Sequence, residues 1–140
     1  DALESTRWNR LHPDAEPRVP RVTTKLASST GPVIAVTDFL TLVPDQIARW
    51  VPHRYLSLGT DGFGRSDTRD ALRSFFEVDT AHLVVAVLAE LAASGTIETS
   101  VVQAAIERYG VDPSAINPAD ADNQPREPLD AATTGRRIGD

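Results

Sequence analysis

The sequence predicts an α/β fold in which a short, mainly parallel sheet is flanked by helices. Three observations carry that prediction. Two short β-branched runs, at 32–37 and 54–58, bracket a segment whose apolar residues recur at helical intervals. Three further helical segments follow a glycine-rich loop. Prolines cluster at both ends, four within 13–32 and four within 113–128, and confine the apolar periodicity to the middle. The expected organisation is an extended, Pro-rich lead-in over 1–31, an α/β core over 32–111 and a disordered, acidic, Pro-rich tail over 112–140.

Each element has its own local reason. Pro13, Pro17 and Pro20 favour extended chain after an optional short helix at 3–11. Val33-Ile34-Ala35-Val36 reads as a strand buried on both faces, opened by Gly31 and closed by Asp38. Leu40, Val43, Ile47 and Trp50 give the next helix one apolar side, with Pro44 in its first turn and Pro52 ending it. Tyr55-Leu56-Ser57-Leu58 is the second strand, so a helix between two strands predicts a parallel βαβ unit. Gly59, Gly62 and Gly64 then break the chain into a loop. Ser66 or Asp67 is placed to cap a helix carrying Leu72, Phe75 and Phe76. Asp79 or Thr80 caps a long apolar helix over 81–94 that Gly95 stops. Ser100 and Gln103 match a capping box, Thr99 is an equally good cap, and Gly110 ends this last helix after Tyr109.

The 140 residues are one domain's worth, and hydrophobic residues at 41% with charged residues at 24% suit a packed core. Fourteen basic against 20 acidic residues give a net charge of −6, which predicts no general attraction to nucleic acid or anionic membrane. The absence of cysteine excludes disulfides, thiolate nucleophiles and Cys-ligated metal. Neither a long apolar run nor a basic–apolar leader is present, so a soluble, cytoplasmic protein is expected. No methionine occurs, so the chain is expected to be a processed or partial product.

No complete catalytic constellation stands in the sequence. The order Gly59-x-x-Gly62-x-Gly64 follows a strand and precedes a helix, a setting in which backbone amides can hold an anion. It lacks the dinucleotide spacing and the P-loop lysine, and reads first as a tight connection with glycines at positive φ. Arg65 can strengthen such an anion site, but reads first as a partner for Asp61, Asp67 or another subunit. His12, His53 and His82 lie on separate segments without metal-ligand spacing. Helix capping accounts for most of Asp61, Asp67, Asp70, Glu77 and Asp79, and no serine has a nucleophile-elbow context.

The strings Gly31-Pro32-Val33-Ile34-Ala35-Val36-Thr37-Asp38-Phe39, Val43-Pro44-Asp45-Gln46 and Leu58-Gly59-Thr60-Asp61-Gly62-Phe63-Gly64-Arg65-Ser66-Asp67, with Phe75-Phe76-Glu77-Val78-Asp79, strongly resemble the C-terminal region of homodimeric bacterial pyruvate dehydrogenases. Arg7-Trp8-Asn9-Arg10-Leu11-His12-Pro13 is similar to them as well, and the likeness runs over residues 5–118. It implies an incomplete transketolase C-terminal-like domain, with a strand–helix–strand portion lying ahead of Asp1 and an exposed sheet edge in its absence. It implies a parent oxidoreductase that uses thiamine diphosphate and magnesium to decarboxylate pyruvate, on the route from glycolysis to acetyl-CoA. The parent passes the acetyl group to the lipoyl-bearing acyltransferase component. In that family the cofactor sits on preceding domains, so no catalytic, cofactor-binding or metal residue carries over to this segment, which is expected to be inactive alone. Its implied partners are the remainder of its own chain, a second subunit and the acyltransferase component. Asp61, Gly62, Phe63, Gly64, Arg65 and Ser66 are the candidate interdomain or dimer loop. The rival reading is a stand-alone module whose glycine loop binds an anion or whose tail binds a partner. A transketolase or another 2-oxoacid dehydrogenase fits the strings less well.

Overall fold

Strands β1 (Val33–Val36) and β2 (Tyr55–Leu58) pair in parallel, with Val33 opposite Tyr55 and Val36 opposite Leu58. The computed structural model describes residues 1–121, and the remainder of the expected tail, 122–140, lies outside the described residues. Helices α1 (Ala2–Leu11) and α2 (Arg21–Leu26) precede the sheet, α3 (Leu42–Asp45) and a 3₁₀ turn (Ala48–Trp50) connect its strands, and α4 (Arg69–Phe75), α5 (Thr80–Ala93) and α6 (Thr99–Tyr109) follow. Helix α5 packs against α6 and lies across both strands. The interior is small: among the described residues only Phe76, Val78, Ala105 and Ser5 are buried.

The lead-in is not extended throughout, because its prolines fall between two helices rather than inside one. Pro13 and Pro17 occupy the connection, and Pro20 takes the N-cap of α2, where no backbone N–H is needed. Side chains distant in sequence hold the connection down. The Asn9 carboxamide accepts from Arg18 N at 2.8 Å and donates to Arg18 O at 3.0 Å, and Asp1 accepts from Arg21 N at 2.7 Å. The Arg18 guanidinium lies 4.3 Å from the centre of the Trp8 ring. The Trp50 indole N–H donates to Thr6 Oγ1 at 3.2 Å and so joins α1 to the 3₁₀ turn.

The single helix expected between the strands is also broken. Its hydrogen bonds are largely of the tighter i→i−3 kind, as in Val43 N to Leu40 O, Ile47 N to Pro44 O and Trp50 N to Ile47 O. Pro44 cannot donate to a longer ladder, and its carbonyl instead accepts from the Tyr55 hydroxyl at 2.8 Å. The neighbouring Asp45 accepts from Ser57 Oγ at 2.6 Å, which ties the crossover to β2. β1 is half-covered rather than buried on both faces, with Val36 43% exposed, because a single paired strand and a four-residue helix cannot cover it.

Capping differs by one or two residues from expectation. Thr68, not Ser66 or Asp67, caps α4: its hydroxyl accepts from Ala71 N at 3.3 Å, while the Asp67 carboxylate is taken by Thr68 N at 2.7 Å. Helix α6 begins at Thr99 behind Glu98, which makes no side-chain cap bond, and Gly110 ends it in the left-handed conformation. Helix α4 closes through Glu77 at φ 57°, with Val78 N donating to Arg73 O.

Asp79 caps α5, accepting from His82 N at 2.9 Å and bonding the His82 imidazole at 2.7 Å. Burial pushes its carboxyl pKa up, but the His82 amide and imidazole, with Ser74, outweigh burial and hold it below the usual aspartate value. A depressed carboxyl contributes stability that is complete above the ordinary pKa, about 3.9, and disappears as pH falls through the folded-state value. Asp79→Ala should therefore cost about 1 kcal/mol at neutral pH. The gap in thermal midpoint between wild type and variant should narrow progressively as the pH falls below the ordinary aspartate value.

Candidate functional site

The carboxyl ends of β1 and β2 feed two loops, 37–41 and 59–67, and the structure fastens one to the other. Thr60 N donates to Phe39 O at 2.9 Å and Thr60 Oγ1 to Asp38 O at 3.0 Å. The Asp61 carboxylate then takes both donors of one residue, Thr41 N at 3.0 Å and Thr41 Oγ1 at 2.7 Å. Phe39 N is satisfied locally by Thr37 Oγ1 at 3.1 Å. A two-oxygen acceptor facing a backbone amide and a hydroxyl is a charge-assisted clasp, stronger than two neutral bonds.

The three glycines of the loop have three different reasons. A Cβ on Gly59 would stand 2.6 Å from Phe39 O and 2.8 Å from Thr41 N, so glycine is required for two backbones to approach. Gly62 has φ +103°, and a Cβ there would also meet Pro118 O at 2.8 Å. Gly64 faces open space with an ordinary φ, so only Gly62 fits the expected positive-φ role. Residues 112–121 belong with this site: they run through turns that bring Pro118 onto Gly62, with Asn117 Oδ1 accepting from Ala119 N at 3.0 Å.

Of the six candidate loop residues, Asp61 is half-buried, and Gly62, Phe63, Gly64, Arg65 and Ser66 are exposed. Arg65 pairs with neither Asp61 nor Asp67. Its guanidinium lies 4.1 Å from the centre of the Phe75 ring, a cation–π contact available because Asp61 and Asp67 are engaged by backbone donors. Thr41, Asn117 and Pro118 were not singled out by sequence. They lie 20 and more than 50 residues from their partners in the loop, and no local spacing signals such contacts.

Three amides at the loop and the entry to α4 are already occupied. Thr60 N, Thr68 N and Ala71 N each have an intramolecular acceptor. Among the described residues no three of His, Asp and Glu gather at metal-binding distance. His12 bonds Trp8 O and His53 bonds Leu26 O, each at 2.9 Å, and His82 bonds Asp79, so the three imidazoles serve three separate local contacts. No described helix is long and apolar enough to cross a membrane.

Beside the loop opens a cleft of about 860 Å³ at the strand carboxyl ends, bordered by Val36, Asp38, Phe39, Arg65, Asp67, Arg69, Leu72, Arg73 and Phe76. Phe39, which lines it, is 65% exposed, and Phe63, Leu40, Leu42, Val43 and Ile47 are exposed as well.

A family model described as the transketolase-like TK C-terminal domain matches residues 6–79. The Pyruvate dehydrogenase E1 component of Pseudomonas aeruginosa is 52% identical over 121 residues, covering 86% of this chain and 14% of that protein. The protein of the same name from Mycolicibacterium smegmatis is 52% identical over 111 residues, 79% of this chain and 12% of its own. That from Escherichia coli K12 is 44% identical over 119 residues, 84% and 13% respectively. The chain thus spans between an eighth and a seventh of the length of the curated relatives it matches.

Proposed function

Since the chain belongs to the family of transketolase-like TK C-terminal domains, we propose that it is the C-terminal segment of a pyruvate dehydrogenase first component and that its own work is structural. The observation that carries this reading is a 52% match that takes in 86% of the chain yet only 14% of the relative. The parent decarboxylates pyruvate with thiamine diphosphate and magnesium and hands the acetyl group to a lipoyl carrier in the cytoplasm. The cofactor supplies the carbanion chemistry when bound. The described residues do not fit the metal of that group: no three carboxylate or imidazole ligands converge among them. No step of the reaction is therefore assigned to them.

What the segment contributes is a rigid corner. The Thr41–Asp61 clasp and the Gly59 contact hold loops 37–41 and 59–67 at one angle, and the exposed run Gly62 to Ser66 is presented from that corner to another domain or to the second subunit of a homodimer. The stand-alone anion module is the weaker alternative, because the match to a much longer relative favours a segment of a larger enzyme. The intact mass of the protein in its source cells tests the assignment. A species several times the 15.1 kDa of this chain is expected, and a stable cellular product of 15.1 kDa would overturn it.

A further inference from the structure

Residues 112–121 reach the glycine loop, yet among the described residues every hydrogen bond they make stays within the stretch. Ser114 N and Oγ donate to the Asp112 carboxylate, Ala115 N to Asp112 O, Ala119 N to Asn117 Oδ1, Asp120 N to Asn117 O and Ala121 N to Pro118 O. Only Pro118 and Ala121 of the ten are half-buried, and the rest are exposed. Open space underlies the stretch. A cavity of about 650 Å³ is bordered by its Ala115 and Ile116 and by Ser74, Phe75 and His82 of the body, and another of about 140 Å³ by its Asn117 and by Phe76. The backbones meet at Gly62, where a Cβ would stand 2.8 Å from Pro118 O and 3.4 Å from Ala119 Cα. At its other end the stretch follows Gly110, whose left-handed backbone ends α6. Self-contained bonding and few buried side chains are the marks of a unit that opens locally while the rest stays folded.

We infer that residues 112–121 form a releasable strap, hinged beyond Gly110, which gives the exposed run Gly62 to Ser66 a seated and a free state. Closed, the strap presses Pro118 and Ala119 onto Gly62 and leaves no room there for a side chain. Open, it withdraws that contact, and the run keeps only the Thr41–Asp61 clasp at its start. Opening breaks no hydrogen bond to the body, because the bonds of the strap travel with it, and an element-terminal residue absorbs the backbone change. What opposes it is the burial of Pro118 and Ala121 and the cover given to Phe76. The inference rests on the reading of that run as the working surface of the chain, and it adds the element that regulates it.

The test is hydrogen exchange in the full-length protein, followed in peptides covering 112–121, 59–67 and α5. Gly62→Ala should accelerate exchange over 112–121 about tenfold and leave α5 unchanged, whereas Gly64→Ala should alter neither. Coupling is reciprocal, so deleting the chain from Asp112 onward should accelerate exchange over 59–67 by about the same factor. In the deleted protein Gly62→Ala keeps only the strain of its positive φ, so its further effect on 59–67 should be smaller than in the intact protein. Three results would each overturn the inference. They are exchange over 112–121 as fast in the wild type as in a free peptide, exchange over 59–67 unchanged by the deletion, and acceleration of α5 along with the strap. Coupled exchange in a protein that does not decarboxylate pyruvate would refute the proposed activity and leave the strap standing.

Discussion

Gly59→Val is expected to produce the largest local destabilisation of any single change in the loop. The added Cβ would lie 2.6 Å from one backbone atom and 2.8 Å from another, and neither is the flexible end of a side chain that could swing away. Relief requires the two loops to separate, which breaks the bond from Thr60 N to Phe39 O and loosens the adjoining Asp61 clasp. Overpacking of this kind costs about 1–3 kcal/mol, and the lost hydrogen bond adds about 1 more. Hydrogen exchange of peptides covering 37–62 should accelerate by roughly one to two orders of magnitude. Gly64→Ala is the matched control, since its Cβ meets nothing within 4 Å, and it should change exchange little. Equal effects from the two substitutions would show that loop glycine content, rather than the contact at Gly59, is what matters.

Asp61→Ala is the second large effect. Its carboxylate accepts two bonds from Thr41, and truncation leaves a part-buried amide without its acceptor. The loss is about 2–3 kcal/mol, while Thr41→Val, which removes only the hydroxyl bond, should cost about 1 kcal/mol. The two changes share one interaction, so the double variant should be little worse than Asp61→Ala alone. Additive effects in that cycle would remove the clasp as the reason the two loops move together. The same variant should lower activity in the full-length protein only through positioning, so residual turnover with unchanged affinity for thiamine diphosphate is expected.

These variants also show which parts of the fold the sequence carries openly. Both strands, the three helices after the loop and the stops at Gly95 and Gly110 were legible because each rests on a local signal: β-branched runs, apolar spacing, a capping carboxylate, a left-handed glycine. In the lead-in the optional helix at 3–11 is α1, whereas α2 is not legible, because the three prolines describe the connection they occupy and say nothing of the helix that follows it. What places α1 and α2 is Asn9 against Arg18, Asp1 against Arg21 and Trp50 against Thr6, contacts spanning 9, 20 and 44 residues. The connection from β1 to β2 was overextended into one helix for a related reason. Tyr55 and Ser57 draw Pro44 and Asp45 onto β2, and that tertiary demand outweighs apolar spacing.

The site was half legible. The run from Asp61 to Ser66 stood out as a loop, and its glycines suggested constraint, but the sequence could not distinguish a glycine needed for close approach from one needed for positive φ. Arg65 was assigned a carboxylate partner by proximity in sequence, whereas Asp61 and Asp67 are spent on Thr41 and Thr68. That redistribution leaves the Arg65 guanidinium to the Phe75 ring.

On the function proposed for this chain, its 140 residues position a catalytic apparatus that lies elsewhere in a longer enzyme. Release of carbon dioxide from pyruvate, in the presence of thiamine diphosphate and magnesium, measures this most directly when the full-length protein and the 140-residue chain are assayed side by side. Turnover by the full-length protein and none by the chain is expected. Sustained turnover by the 140-residue chain would contradict it.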